Sequence, residues 1–309
     1  MKEQIDTPLK KPYIVILLAL FSCLLWGSAF PIVKLGYEYF GIGASDTFGK
    51  IAFAGYRFLI SGIIIFVFCI LTKRELGVNK DQFKKLILLG IIQTTIYYIF
   101  FYIGVSNTSG TKGSIIISTT TLFAVIISRM FYKEDKLTSN KIIGLIFGFA
   151  GVIIVNINGL NGGFSLTGEG FLLLASLTGA ISSVYTKKLT RDINSFLVAG
   201  YQLLIGSVFL LIGGFLGGAE TLKFTSQNTW LLIYLALAAA AAFSIWASLL
   251  EHNAVGKIEI YRFTIPIFGV LLSYIILGER LLGPNVWFSI LLVSSSIVLI
   301  NLNKKRIRS

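Results

Sequence analysis

Ten apolar stretches, each about as long as a bilayer is thick, follow one another along this sequence with only short connections between them. They are 13–35, 48–71, 85–106, 112–131, 140–157, 168–187, 194–216, 229–250, 258–277 and 284–302. A spanning helix needs roughly 20 apolar residues, whereas a barrel strand needs about ten and alternates in polarity. The pattern therefore predicts an all-α integral membrane protein of ten transmembrane helices. Of 309 residues, 55% are hydrophobic and only 13% charged, about half the charged share of a soluble domain. No stretch remains to build an extramembrane catalytic domain. The basic N-terminal start resembles a signal peptide, but the apolar run from Tyr13 to Val33 is too long for one and is expected to be a retained first span.

Charge then gives orientation. The net charge of +13 would raise the question of nucleic acid in a soluble protein, but no basic stripe interleaves with stacking aromatics here. With the N-terminus in the cytoplasm, twenty Lys and Arg residues fall on inside segments and five outside, namely Lys34, Lys50, Lys112, Lys223 and Arg280. On loops this short that bias predicts both termini inside a cytoplasmic membrane. Cys23 and Cys69 lie within spans as small apolar fillers and offer neither metal spacing nor a disulfide.

An internal repeat is the strongest pattern. Shifting by 145 residues lays 54–158 on 199–303 without a gap, so that Lys112, Thr119, Ser128, Glu134, Asn140, Asn156 and Asn158 meet Lys257, Thr264, Ser273, Glu279, Asn285, Asn301 and Asn303. Apolar coincidences arise by chance in such chains, but Lys, Glu and three Asn in one register do not. The halves are 1–158 and 159–309, joined through the Gly/Asn-rich 158–167. Five spans is an odd number, so the second half enters from the opposite side and the repeat is inverted, the geometric basis of alternating access. Duplication kept only for folding, in a channel-like or lipid-handling scaffold, is the competing reading.

Hydrolase and phosphate-loop motifs are missing, so an enzyme is not expected, and no cofactor or metal is implied. Arg57 lies about nine residues into its span, roughly 13 Å deep. A guanidinium there attracts a substrate anion or is tethered to backbone carbonyls; its repeat mate is the neutral Gln202. Glu259 and Arg262 share a helical face and can pair, with snorkelling to the nearby surface the plain account and proton coupling the sharper one. Lys34 reads as an interface anchor. Gln93, Tyr97, Tyr201, Gln202 and Trp246 are candidates, with Arg57, for a pocket of flat walls and polar tips. Pro266 can free a carbonyl and permit bending at a gate, and Gly144, Gly148 and Gly151 form a packing stripe.

Trp26-Gly-Ser-Ala-Phe30 with Lys34, Arg57-Phe-Leu, Phe123…Glu134-x-x-Leu137 and Pro266-Ile-Phe…Leu-Gly-Glu279-Arg-Leu make the whole chain resemble the EamA-type family of the drug/metabolite transporter superfamily. The resemblance implies a ten-helix carrier with a central cavity between its halves, moving amino acids or other small metabolites, often outward. The small-molecule substrate and the lipid bilayer are then its partners, without fixing an oligomeric state. Two departures bear on the gates: Thr121 stands where the second half has Pro266, and Gly179 where a Trp would answer Trp26.

Overall fold

The structure, a computed structural model, describes residues 8–108, 110–133, 135–155, 164–278 and 283–301. Glu134, Asn156, Asn158, the Glu279-Arg-Leu run, Asn303, Lys2 and the basic C-terminal tail lie outside them, as does most of the 158–167 joint. Among the described residues every regular element is helical and none is a strand. In chain order the helices are α1 (Pro12–Phe40), α2 (Thr47–Leu71), α3 (Lys80–Ser106), α4 (Gly110–Phe131), α5 (Ser139–Val155), α6 (Leu166–Leu189), α7 (Ser195–Leu216), α8 (Ser226–His252), α9 (Val255–Leu277) and α10 (Gly283–Asn301). Seven of these, α1 to α3 and α6 to α9, are long and apolar enough to cross a membrane. The other three carry shorter apolar helices, Ile115–Phe131, Ser139–Ile154 and Pro284–Leu299.

Local chemistry sets several helix ends. Asp46 accepts from Gly49 N at 2.7 Å to start α2, and Asn79 and Gln82 cap α3 reciprocally. Gly41 closes α1 at φ +69°, a left-handed conformation that costs glycine nothing. Two helices depart from α geometry within the bundle. In α3, Gly90–Ile96 forms a π turn with Gln93, Thr94 and Thr95 buried. In α9, Glu259–Phe263 tightens to 3₁₀ just before Pro266, whose ring has no N–H to give and crowds the carbonyl of Arg262.

The molecule is apolar outside and polar within. Leu71, Met130, Leu216, Trp230 and Ile275 are largely exposed, while Ser61, Thr94, Ser182 and Ser207 are buried among helices. That distribution suits lipid, which satisfies no backbone group and rewards polar contacts only between helices. The broadest seams run between α2 and α7 and between α5 and α10. Next come α1 against α8 and α9, and α6 against α3 and α4. Within the α5 stripe, Gly148 faces the ring of Phe263 and Gly151 faces Val293 and the Ser289 carbonyl.

At the α2–α7 seam the backbones nearly touch. A Cβ at Gly214 would lie 2.9 Å from both the nitrogen and the Cβ of Ala52, whereas one at the adjacent Gly213 would meet nothing within 4 Å. Gly214→Ala should therefore destabilise by about 1–3 kcal/mol through overpacking, while Gly213→Ala should be neutral or gain up to about 1 kcal/mol of helix propensity. Melting temperatures of the two variants in detergent check this; equal behaviour would mean the seam is looser than described.

Candidate functional site

A cavity of about 400 Å³ opens inside the bundle. Its walls come mainly from the first half: one face of α1 from Trp26 to Tyr37, one face of α3 from Gln93 to Ser106, the upper part of α4, and Lys50 and Arg57 of α2. The second half gives Phe243 of α8 and Arg262, Ile265 and Pro266 of α9. Lys34, Lys50 and Ser106 stand at the end of the bundle that carries the α1–α2 and α3–α4 connections. Arg57, Gln93, Thr121 and Arg262 lie deeper.

Helix irregularities place the deep residues. The π turn of α3 inserts one residue per turn and brings Gln93 to the cavity, one turn ahead of Tyr97. The break in α9 frees backbone carbonyls inside the bundle, and polar side chains take them up. Thr121 Oγ1 donates to Glu259 O at 3.2 Å, Cys23 Sγ to Tyr261 O at 3.3 Å and Thr264 Oγ1 to the same Tyr261 O at 2.7 Å. With its backbone held this way, the turn presents Arg262 to the cavity floor and Glu259 beneath it.

Glu259 is fully buried. One carboxylate oxygen accepts from Trp246 Nε1 at 3.1 Å and the other lies 2.9 Å from Arg262 Nε. The guanidinium of Arg262 also sits 4.9 Å from the ring of Trp26 and 5.0 Å from that of Trp246, and these two indoles meet edge to face. Ion pair and cation–π contacts together seal the floor. Snorkelling of Glu259 and Arg262 is thus corrected: both point into the protein, because the tight turn carries them away from the surface.

Arg57 sits about ten residues into α2, roughly 15 Å from its start, and is 5% exposed. Nε donates to Leu235 O of α8 at 3.2 Å, its one hydrogen bond among the described residues. Tether and cavity residue coincide here, since the side chain is bonded to a carbonyl and also lines the cavity.

The structure brings Arg57, Gln93, Tyr97, Arg262 and Pro266 to one cavity and leaves out the others expected there. Trp246 lies behind the floor on Glu259. Tyr201 packs on Phe66 and Phe83, at centroid distances of 4.8 and 5.9 Å, and Gln202 is buried beside Gly90. No residue of α7 lines the cavity, because that helix lies along the other sides of α2 and α3. Lys34, read as an anchor, lines the cavity instead. Sequence reasoning also missed Lys50, Tyr37, Tyr98 and Tyr102. A usable signal was present: Trp26, Phe30, Val33 and Tyr37 recur at helical spacing on one face of α1, as do Tyr98, Tyr102 and Val105 on α3.

An outwardly apolar, multi-pass helical bundle with a cavity between its helices is the architecture of a membrane transport protein. The family comparison agrees: the profile of the EamA-like transporter family matches residues 13–157 and again 166–302, and the chain belongs to that family. It is 27% identical over 291 residues to the uncharacterized transporter YvbV of Bacillus subtilis, covering 94% of this chain and 92% of that one. It is 25% identical to the uncharacterized inner membrane transporter YedA of Escherichia coli, covering 93% and 90%. A solved crystal structure superposes with a TM-score of 0.78 at 16% identity, covering 96% of this chain and 99% of that one, which shows a shared fold.

The floor gives an asymmetric expectation. Arg262→Met strands a fully buried carboxylate and should cost about 3–5 kcal/mol. Glu259→Gln leaves Arg262 beside a wettable cavity and should cost clearly less, and the double variant should recover stability over Arg262→Met alone. Thermal melts of the three variants test this, and an equal loss for both single changes would contradict the burial described.

Proposed function

We propose that this protein is a secondary carrier that moves small organic metabolites across the cytoplasmic membrane by alternating access between two inverted five-helix repeats. The repeats are 1–158 and 159–309, each helix matched to the one five places later. The observation that carries the reading is the pairing of helices. Exchanging α1–α5 with α6–α10 turns the α2–α7 and α5–α10 seams into themselves, α1–α9 into α6–α4, and α1–α8 into α6–α3. All of the broad seams survive the exchange. The tandem family match supports the duplication, and five helices per repeat supports the inversion.

The cavity runs from the exposed Lys34 to the buried Arg57 and the Arg262 floor, and the two halves are bonded together at the opposite end of the bundle, an arrangement that suits one state of an alternating cycle. At that end Tyr132 donates to Val184 O at 3.1 Å, Asp135 accepts from Gly256 N at 2.8 Å, and Asn253 donates to Leu9 O at 2.9 Å. Each of these bonds joins the first half to the second. With the positive-inside bias fixing both termini in the cytoplasm, the mouth at Lys34 and Lys50 faces outward and the bonded end faces in. The family resemblance supports outward movement and a cargo about the size of an amino acid, which a cavity of about 400 Å³ holds.

Two measurements test the carrier. Gly43→Cys, exposed in the α1–α2 connection, should react with a membrane-impermeant maleimide on intact cells, and Lys133→Cys, exposed at the bonded end, only after permeabilisation. In proteoliposomes, counterflow of cargo should saturate and be competed by excess unlabelled cargo. Flux that stays linear to high concentration would replace the carrier with the scaffold reading.

A further inference from the structure

The charge of the cavity narrows its cargo. All the charged side chains along its described wall are basic, namely Lys34, Lys50, Arg57 and Arg262, and no carboxylate joins them. These four are not equivalent. Arg262 is neutralised by Glu259 from below. At the mouth, Lys50 donates to the Ala44 carbonyl and to Ser106 Oγ, and lies near Asp46. Lys34, also at the mouth, has contacts of its own. Arg57 is different. It is nineteen-twentieths buried at mid-depth, yet among the described residues it has no carboxylate partner, and its single hydrogen bond uses only Nε. Both terminal nitrogens are left without a protein acceptor at the cavity wall. The guanidinium also lies 5.2 Å from the ring of Phe58, a contact that leaves its charge without a counter-ion. Such a charge inside a membrane is costly, and residues of this kind lie where they meet a partner or a substrate.

A guanidinium edge matches the two oxygens of a planar oxyanion. One deep unpaired charge calls for one negative charge. A substrate ammonium would find no carboxylate on the described wall and would be repelled by Arg57. The rest of the surface is flat and apolar: Trp26, Tyr97, Tyr98, Phe101, Phe243 and Ile265. Resting on the carrier reading above, we propose that the cargo is an organic monocarboxylate with a flat apolar body and no amine, its carboxylate held by Arg57 and its body against the aromatic wall. Lys34 and Lys50 at the mouth raise the local concentration of such anions.

Five single-ring probes with the purified full-length protein test this: phenylacetate, phenylacetamide, 2-phenylethylammonium, phenylalanine and phenyl phosphate. Phenylacetate should raise the melting temperature and bind about tenfold or more tighter than each of the other four. In Arg57→Gln that preference should fall to within about twofold of phenylacetamide, and Arg57→Lys should keep part of it. The wild-type ranking decides the matter even where Arg57→Gln does not fold. Equal or tighter binding of phenylalanine or 2-phenylethylammonium overturns the exclusion of amines. Tighter phenyl phosphate overturns the single charge, and no binding by any probe overturns the proposal as a whole. Counterflow separates the two readings. Saturable counterflow of phenylalanine that phenylacetate does not inhibit keeps the carrier and discards the anion. Phenylacetate binding without saturable counterflow of any probe discards the carrier and keeps the site.

Discussion

Inside a bilayer every backbone carbonyl must find a donor within the protein, and the break in α9 shows the consequence for a helix that gives some up. The proline ring at 266 prevents a regular helix through Arg262, so Glu259–Phe263 winds as a tighter turn. Its carbonyls are recovered by Thr121, Cys23 and Thr264, which come from three different helices. The turn is thereby tied to α1 and α4, and its two charged side chains are driven into the bundle. Glu259 and Arg262 then pair with one another, with the indoles of Trp246 and Trp26 completing their surroundings. The cavity floor is a consequence of one proline and the hydroxyls and thiol placed to receive it.

The two halves share a plan and differ in chemistry. Thr121, at the position matching Pro266, leaves α4 an unbroken helix and uses its hydroxyl to repair α9. Arg57 faces the cavity, while its mate Gln202 is packed against α3 with its carbonyl oxygen unpartnered. Gly179, where a Trp is expected to answer Trp26, admits the ring of Tyr97 to 3.0 Å from where a Cβ would stand. The polar and charged side chains of the cavity wall thus come mostly from the first half, and the second half contributes the floor.

Legibility in the sequence obeys the same physics. Helix positions were readable because lipid demands about twenty apolar residues whatever the packing partner: each drawn segment falls on a helix, and seven of those helices are long and apolar enough to cross a membrane. Arg57 was readable because a mid-span guanidinium is conspicuous in any context. Which face of a span looks inward was harder to read, since these helices are apolar all round and carry little amphipathic signal. Tyr201 and Gln202 looked like Tyr97 and Gln93 by composition and depth, but α7 turns them into seams. Lys34 looked like an interface anchor, and Lys50 like one more outside charge, because a cavity mouth and a membrane interface lie at the same depth. The π turn of α3, which sets the facing of Gln93, has no sequence mark beyond Thr95, whose hydroxyl donates to Gly206 O of α7.

Energetics bear on how such a bundle changes state. The floor pair of Arg262 and Glu259 lies on a single helix and moves with it, so rocking one half against the other does not have to separate those charges. The described contacts that the proposed motion would break at the bonded end include the hydrogen bonds Tyr132 to Val184, Gly256 to Asp135 and Asn253 to Leu9, and the cation–π contacts of Lys187 and Arg191 with the ring of Tyr132. At a net worth of about 1 kcal/mol apiece, somewhat more where the charged Asp135 takes part, the three hydrogen bonds add a few kcal/mol to the apolar packing of Tyr132, Val184, Leu249 and Val255 at that end. Ion pairs are costly to break in a low dielectric; here the strongest one is confined within an element, and the weaker bonds lie between elements, where motion must occur.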